Sequence, residues 1–397
     1  MFKGMKAQRR LAFGVALTLS AGGSLLFSSS AQAAEHVKEI PSTDTEHTAG
    51  IDGTRETGFS SDNKITVGEA GASGPTVNGD VVGGSAAGDV SNNTLTINSL
   101  TLGNGYTVSG GKSTGGAAMG NTVNLMGGVL GGDVYGGFAS GTGATTGNTV
   151  NIGDGTNAVA AGAKTTGTIY GGSNAGDTTG NMLNVRGAYT AKNIKNFSTV
   201  NFDVPAGTAP GTTFLTLTED ADTNLDWSGV HIDADKLKAW GSGKTGQNKI
   251  TLLGHNVNGA DRLKLTNYSD RALGRVGNNE YGLRADTYGS GTVKSASFIY
   301  ADANQVKNAD IAYTYDGSNG VPTLAGGFSR YGYTVDNNRL TVTSTAPGGI
   351  TNIYGGNATG TAAAADEGHA TNNTVTIKAS VGNKNISNIY GGHTEIE

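Results

Sequence analysis

An internal repeat runs through the 397-residue chain and limits the folds open to it. The pattern Asn, any residue, aliphatic, Thr or Asn, aliphatic occurs eight times, at Asn63–Val67, Asn93–Ile97, Asn121–Leu125, Asn148–Ile152, Asn181–Val185, Asn248–Leu252, Asn338–Val342 and Asn373–Ile377. The copies are spaced by 30, 28, 27, 33, 67, 90 and 35 residues, and the gap of 67 divides at Thr213–Leu217 into 32 and 35. The mean step from Asn63 to Asn248 is then near 31 residues. A fixed period of this size signals stacked supersecondary units.

Within each copy apolar and polar residues alternate, so the third and fifth side chains share one face of a short strand. Thr, Val and Ile suit such pleated positions. A second element lies between the strands: Val82-Gly83-Gly84, Val134-Tyr135-Gly136-Gly137, Ile169-Tyr170-Gly171-Gly172, Ile353-Tyr354-Gly355-Gly356 and Ile389-Tyr390-Gly391-Gly392, with Ala325-Gly326-Gly327 a weaker copy. These pairs are expected to be the repeat's turns, where glycine reaches φ values closed to other residues. Two short strands and two turns per period predict an all-β chain, a parallel β-helix or β-solenoid whose units bury a core only against their neighbours. Propeller blades run longer, about 40 to 50 residues, and carry aromatic signatures that this chain lacks. Leucine-rich repeats need recurrent Leu and a helical segment, which are also missing.

Composition agrees. Glycine supplies 66 of 397 residues, one in six, against a usual share of about 7%. Each would cost about 1 kcal/mol in a helix interior, which argues against a helical or α/β enzyme. Collagen is excluded because the glycines cluster in pairs and only 6 prolines are present. A hydrophobic share of 36% is too high for a simple disordered tail.

The N-terminus reads as a secretory signal peptide, residues 1–33: Lys3, Lys6, Arg9 and Arg10, an apolar stretch from Leu11 to Phe27, and small residues at Ala31-Gln32-Ala33. Gly14, Gly22, Gly23 and Ser24 interrupt the stretch, which falls short of the roughly 20 apolar residues of a membrane span. Removing these 33 residues, with their four basic groups, leaves 364 residues carrying 23 basic and 32 acidic side chains. That acidity disfavours nucleic acid and anionic membranes as partners. With no Cys, an exported chain has no disulfides and depends on repeated packing. Residues 34–61 are polar, lack the pattern and are expected to form a flexible leader. Residues 62–202 form the regular β-solenoid array, 203–325 a divergent β segment with loops, and 326–397 a second run of repeats. Asp233 to Trp240 could form a helical turn or loop on the solenoid. The run ends inside a repeat, since no strand follows Ile389-Tyr390-Gly391-Gly392 before Glu397, so a truncated fragment with no independent function is one expectation.

Enzymatic motifs fail in turn. Gly243-Lys244-Thr245 and Gly111-Lys112-Ser113 resemble the end of a phosphate loop, but Lys238 and Tyr106 stand where its first Gly is required. The histidines, His36, His47, His231, His255, His369 and His393, lack zinc-ligand spacing. Gly71-Ala72-Ser73-Gly74 and Gly241-Ser242-Gly243 are not nucleophile elbows, and no calcium nonapeptide occurs. Asp220 with Asp222 and Asp233 with Asp235 are the best carboxylate pairs for acid–base work; solvated surface or helix-cap roles suit them better. No catalytic residue, cofactor or metal is therefore expected. Tyr135, Tyr170, Tyr354 and Tyr390 are possible surface contacts, as a stacked strip for sugars, although equivalent positions in stacked units more often pack on one another. The Asn opening each strand copy is expected to form a hydrogen-bonded ladder satisfying turn backbone.

The Tyr-Gly-Gly and Asn-Thr-Val-Asn-Ile blocks, the signal peptide and the join from Asn193 to Phe202 resemble the passenger regions of Gram-negative autotransporters with adhesin-like repeats. The resemblance implies export and display of a β-helical passenger at the cell surface, or its release outside the cell, with a C-terminal outer-membrane barrel. No final series of amphipathic strands ending in an aromatic residue is present, so the barrel would have to be encoded downstream. The expected function is a structural or adhesive stalk that meets molecules of a host or neighbouring cell surface. A carbohydrate-active β-helix enzyme, working in residues 203–325, is the alternative.

Overall fold

A computed structural model describes residues 36–153, 159–219, 223–255, 263–289, 291, 293–315, 323–344, 350–360, 368–378 and 386–396. Among the described residues the chain is all-β, with several parallel sheets and no closed barrel. Each period between Asn63 and Lys195 gives one strand to each of three sheets. The first sheet stacks His36–Ile40, Asn63–Val67, Thr94–Ile97, Thr122–Leu125, Thr149–Ile152, Met182–Val185, Thr199–Phe202 and Val230–Ile232, all parallel. The second includes Val81–Val82, Val108–Ser113, Val134–Ala139, Thr168–Gly172 and Asn193–Lys195. The third runs from Thr76–Val77 through Thr101–Leu102, Val129–Leu130, Lys164–Thr165 and Tyr189–Ala191 to Thr213–Leu217 and Gln247–His255.

Alternation puts like on like. Leu95, Val123, Val150, Leu183 and Val200 form one buried column of the first sheet, and Ile97, Leu125, Ile152, Val185 and Phe202 form the next. They belong to a single hydrophobic cluster running from Ile40 to Ala303. A one-residue slip would turn both columns to solvent, so burial itself fixes the register.

The ladder of asparagines is present and buried. The backbone N–H groups of Asn63, Asn93, Asn121 and Asn148 each donate to the side-chain Oδ1 of the next Asn, at 3.0, 3.1, 2.9 and 2.9 Å. Ala309 and Asn338 repeat the arrangement toward Asn338 and Asn373, at 2.8 and 3.0 Å. Satisfying buried backbone donors is what this residue contributes.

The glycine pairs differ from expectation. Gly136, Gly137, Gly171, Gly172, Gly355, Gly356, Gly391 and Gly392 lie inside strands and none has a left-handed φ. Their reason is close approach. A Cβ on Gly136 would come within 2.6 Å of the Gly171 carbonyl oxygen and 2.8 Å of Asn148 Cβ, and one on Gly137 within 2.7 Å of Asn148 Nδ2. The pair makes the space into which the ladder asparagine folds. The turn sits elsewhere: Asp62, Asn92, Gly120, Gly147 and Gly180, each immediately before a ladder Asn, have φ between 57° and 69°. Asn337 and Asn372 do the same at 55° and 52°. Gly, Asn and Asp tolerate that region with the least strain.

Residues 36–40, expected in a flexible leader, form the first strand of the first sheet, and Ile51–Asp52 joins the second. Polar groups beside these strands pair with one another: His47 lies between Asp44 and Glu56, at 2.9 and 3.1 Å, and Lys38 reaches Glu56 at 3.2 Å. A short helix, α1 (Gly53–Thr57), packs beside them.

Two repeat copies leave their expected column. Thr213–Leu217 and Asn248–Leu252 belong to the third sheet, while Thr199–Phe202 and Val230–Ile232 continue the first. After Val230–Ile232 comes helix α2 (Ala234–Gly241), with Asp233 as its N-cap accepting from the Asp235 and Lys236 N–H groups. Leu237 and Trp240 bury its inner face. Gln247–His255 then pairs antiparallel with Val293–Gln305, which also pairs with Asn279–Tyr288 and Leu263–Thr266. Parallel order resumes in Asp310–Tyr315, Arg339–Ser344 and Thr374–Ile377, and in Thr323–Ser329, Ile350–Gly360 and Ile386–Ile396.

Candidate functional site

The outer face of the first sheet carries a second, half-buried ladder. Thr66, Thr96, Asn124, Asn151, Asn184, Asn201 and His231 follow one another in register. Asn124 Nδ2 donates to Thr96 Oγ1 at 3.0 Å, and Asn151, Asn184 and Asn201 each donate to the preceding Oδ1 at 2.7 Å. The row is therefore directional, with every donor pointing back toward the N-terminal end. Thr66, Thr96, Asn124, Asn151 and Asn184 are the polar fourth positions of the strand copies, so the sequence shows that part of the row and not Asn201. It does not show that His231 ends it.

Over the last part of this row lies a groove of about 520 Å3, floored by Asn151, Asn184, Asn201 and His231 and walled by Arg186, Asp203 and Asp233. A smaller hollow of about 280 Å3 shares Arg186 and Asp203 and continues onto Val204, Pro205, Ala206 and Ala239. Asp203 is the electrostatic centre, paired with Arg186 and, at 2.6 Å, with Lys236. Asp233 is engaged by the N-terminus of α2.

The tyrosines form two separate pairs. Tyr135 stacks on Tyr170 with centroids 4.8 Å apart and planes 9° apart, and Tyr354 stacks on Tyr390 at 5.2 Å and 14°. Stacking along the array uses the ring faces on which a sugar would sit. Burial pushes the Tyr135 hydroxyl pKa up, aided by Asp133, to which it donates at 3.2 Å.

Of the carboxylate pairs, Asp233 caps α2 and Asp235 is exposed with Lys238 at 3.2 Å. Asp220 and Asp222 lie outside the described residues, as does the expected signal peptide. Gly111-Lys112-Ser113 is a strand segment, with Lys112 bound to Asp80 at 2.7 Å. Sequence reasoning missed a buried polar cluster where the antiparallel strands meet the second run of repeats. Glu280 is fully buried; it accepts from Asn304 Nδ2 at 3.0 Å, the Arg330 N–H at 2.7 Å and Ser329 Oγ at 2.7 Å. Desolvation raises its pKa to about 7 against the opposing effect of these donors. Asp302 beside it accepts from Arg284 Nε at 2.7 Å and Tyr331 hydroxyl at 3.3 Å. Glu280 lies within the strand Asn279–Tyr288 and has no local motif to betray it.

Among the described residues no group of three or more His, Cys, Asp or Glu side chains is disposed to hold a metal, and no helix is long and apolar enough to cross a membrane. No family model, curated protein or solved structure matches the chain.

Proposed function

We propose that the chain is a β-solenoid passenger of autotransporter type, exported and held at or released from the cell surface, where it acts as a structural and adhesive stalk. The observation that carries this reading is the in-register stacking of like residues in three parallel sheets. The outward row repeats asparagine at Asn124, Asn151, Asn184 and Asn201, so weak contacts recur along one face and add through effective concentration. The aliphatic columns and the buried asparagine ladder supply the stiffness that such a stalk needs. Catalysis is disfavoured because the groove's two carboxylates are already committed, Asp203 to two cations and Asp233 to helix N–H groups.

The experiment expresses the full chain in a Gram-negative host. The expected result is cleavage after Ala33, recovery outside the inner membrane, a β-dominated far-UV circular dichroism spectrum and retention of cells or beads on a glycoprotein-coated surface. A chain retained uncleaved in the cytoplasm refutes export. A helix-rich spectrum refutes the solenoid, and purified chain that confers no retention refutes the adhesive role.

A further inference from the structure

We infer that the groove over Asn151, Asn184 and Asn201 is a binding site for a segment of a neutral glycan. This deepens the adhesive reading and rests on it only for where the glycan is met.

Size and openness come first. About 520 Å3 lies within the roughly 300–1,000 Å3 typical of ligand sites, and the groove runs along the strand stack, where it admits a chain. Its floor is a row of amides one strand spacing apart, about 4.8 Å. Each amide spends one N–H on the preceding Oδ1. Among the described residues a second N–H and a second carbonyl lone pair remain on each, and after Asn201 the next residue in register is His231 instead of another amide. Such a row offers alternating donors and acceptors, the pattern that sugar hydroxyls complement.

Charge selects among sugars. Arg186 and Lys236 both pair with Asp203, and Asp233 faces the N-terminus of α2. Among the described residues both cations of the groove are thus engaged, so an anionic ligand would compete with Asp203 for them. The adjoining hollow adds the other half of a sugar's chemistry: Pro205, Ala206 and Ala239 present an apolar wall for the C–H face of a pyranose ring beside the amide row.

The test uses the purified full chain and defined hexasaccharides: cellohexaose, maltohexaose, chitohexaose and mannohexaose as neutral probes, heparin and hyaluronan hexasaccharides as anionic ones. Saturation-transfer NMR detects binding and the His231 imidazole signal locates it. At least one neutral probe is expected to bind, to shift His231 and to be insensitive to salt between 50 and about 500 mM, since no phosphate-like charge is neutralised. Asn184→Ala and Asn201→Ala should each weaken binding about fivefold, the worth of one hydrogen bond, and Pro205→Asp should weaken it through the apolar wall. Thr66→Ala, outside the groove, should leave it unchanged. If a variant unfolds, the His231 shift in the natural protein still decides. Preferential, salt-sensitive binding of heparin overturns the proposal, as does a silent His231 with all four neutral probes or affinity indifferent to Asn184 and Asn201. These outcomes are independent of export, so failure of the site and failure of the display reading are distinguishable.

Discussion

Replacing Glu280 by Gln should flatten the pH dependence of stability between about pH 5 and pH 8. The carboxyl is buried without a cation of its own, since Arg284 is engaged by Asp302, and burial lifts its pKa from 4.5 to about 7. A carboxyl whose folded pKa is raised contributes stability that is complete below its unfolded pKa and is lost as pH climbs through the folded one. The window here therefore opens near 4.5 and closes a little above 7. The whole shift corresponds to about 3.5 kcal/mol at about 1.4 kcal/mol per unit. Gln keeps the acceptor for the Arg330 N–H and carries no proton to lose, so it introduces a constant offset and no slope. Urea denaturation followed by tryptophan fluorescence is a suitable assay, because Gly241, next to the buried Trp240, packs against Tyr281 and Ala303 on the strands around Glu280. The quantity to compare is the change in unfolding free energy from pH 5 to pH 8 in each protein, which removes the contribution of groups common to both. It should be about 2.5 kcal/mol more negative in the natural protein, since part of the window lies below pH 5. Two curves that fall in parallel would refute the reasoning.

Other changes probe the repeat. Gly137→Ala sets a methyl group against Asn148 Nδ2 and should destabilise by a few kcal/mol, read as a lower melting temperature with the β spectrum retained. Asn148→Ala strands the buried Asn121 N–H and should cost about 1–3 kcal/mol, visible as faster amide exchange at Asn121. At Asn92, with φ 57°, Val should cost about 1–2 kcal/mol while Gly is tolerated; equal melting curves for the two would contradict a left-handed turn there. Asp233→Ala should cost about 1 kcal/mol through loss of the α2 cap, measured by urea titration.

Much of the array is legible in the sequence because one constraint acts at one spacing. Val123 and Leu125 alternate with polar neighbours, and their equivalents recur at the period, so inward columns can be read off. The ladder asparagines follow from the same alignment. The third sheet is hidden, since two-residue strands such as Val129–Leu130 are too short to show alternation. Thr213–Leu217 and Asn248–Leu252 carry the strand pattern and enter another sheet because pattern records burial and not neighbour. Tertiary contact decides the rest. The glycine pairs look like turns in one dimension, and only the stacked Asn148 shows that the missing side chain is the point. The groove needs Asn201 to lie beside Asn184 despite a separation of 17 residues, and Glu280 is buried by Ser329 and Arg330 from a segment some 50 residues away.

The direction of the buried asparagine ladder sets an order of events. The N–H of Asn63 is satisfied by Asn93, that of Asn93 by Asn121, and that of Asn121 by Asn148. A period emerging first during synthesis thus carries an open donor until the next one arrives, and each arrival completes its predecessor while leaving the same vacancy on itself. Assembly should advance from the N-terminal end by one period at a time. Loss or gain of a whole period leaves that succession intact, whereas a single inserted residue between a left-handed position and its asparagine halts it at that point.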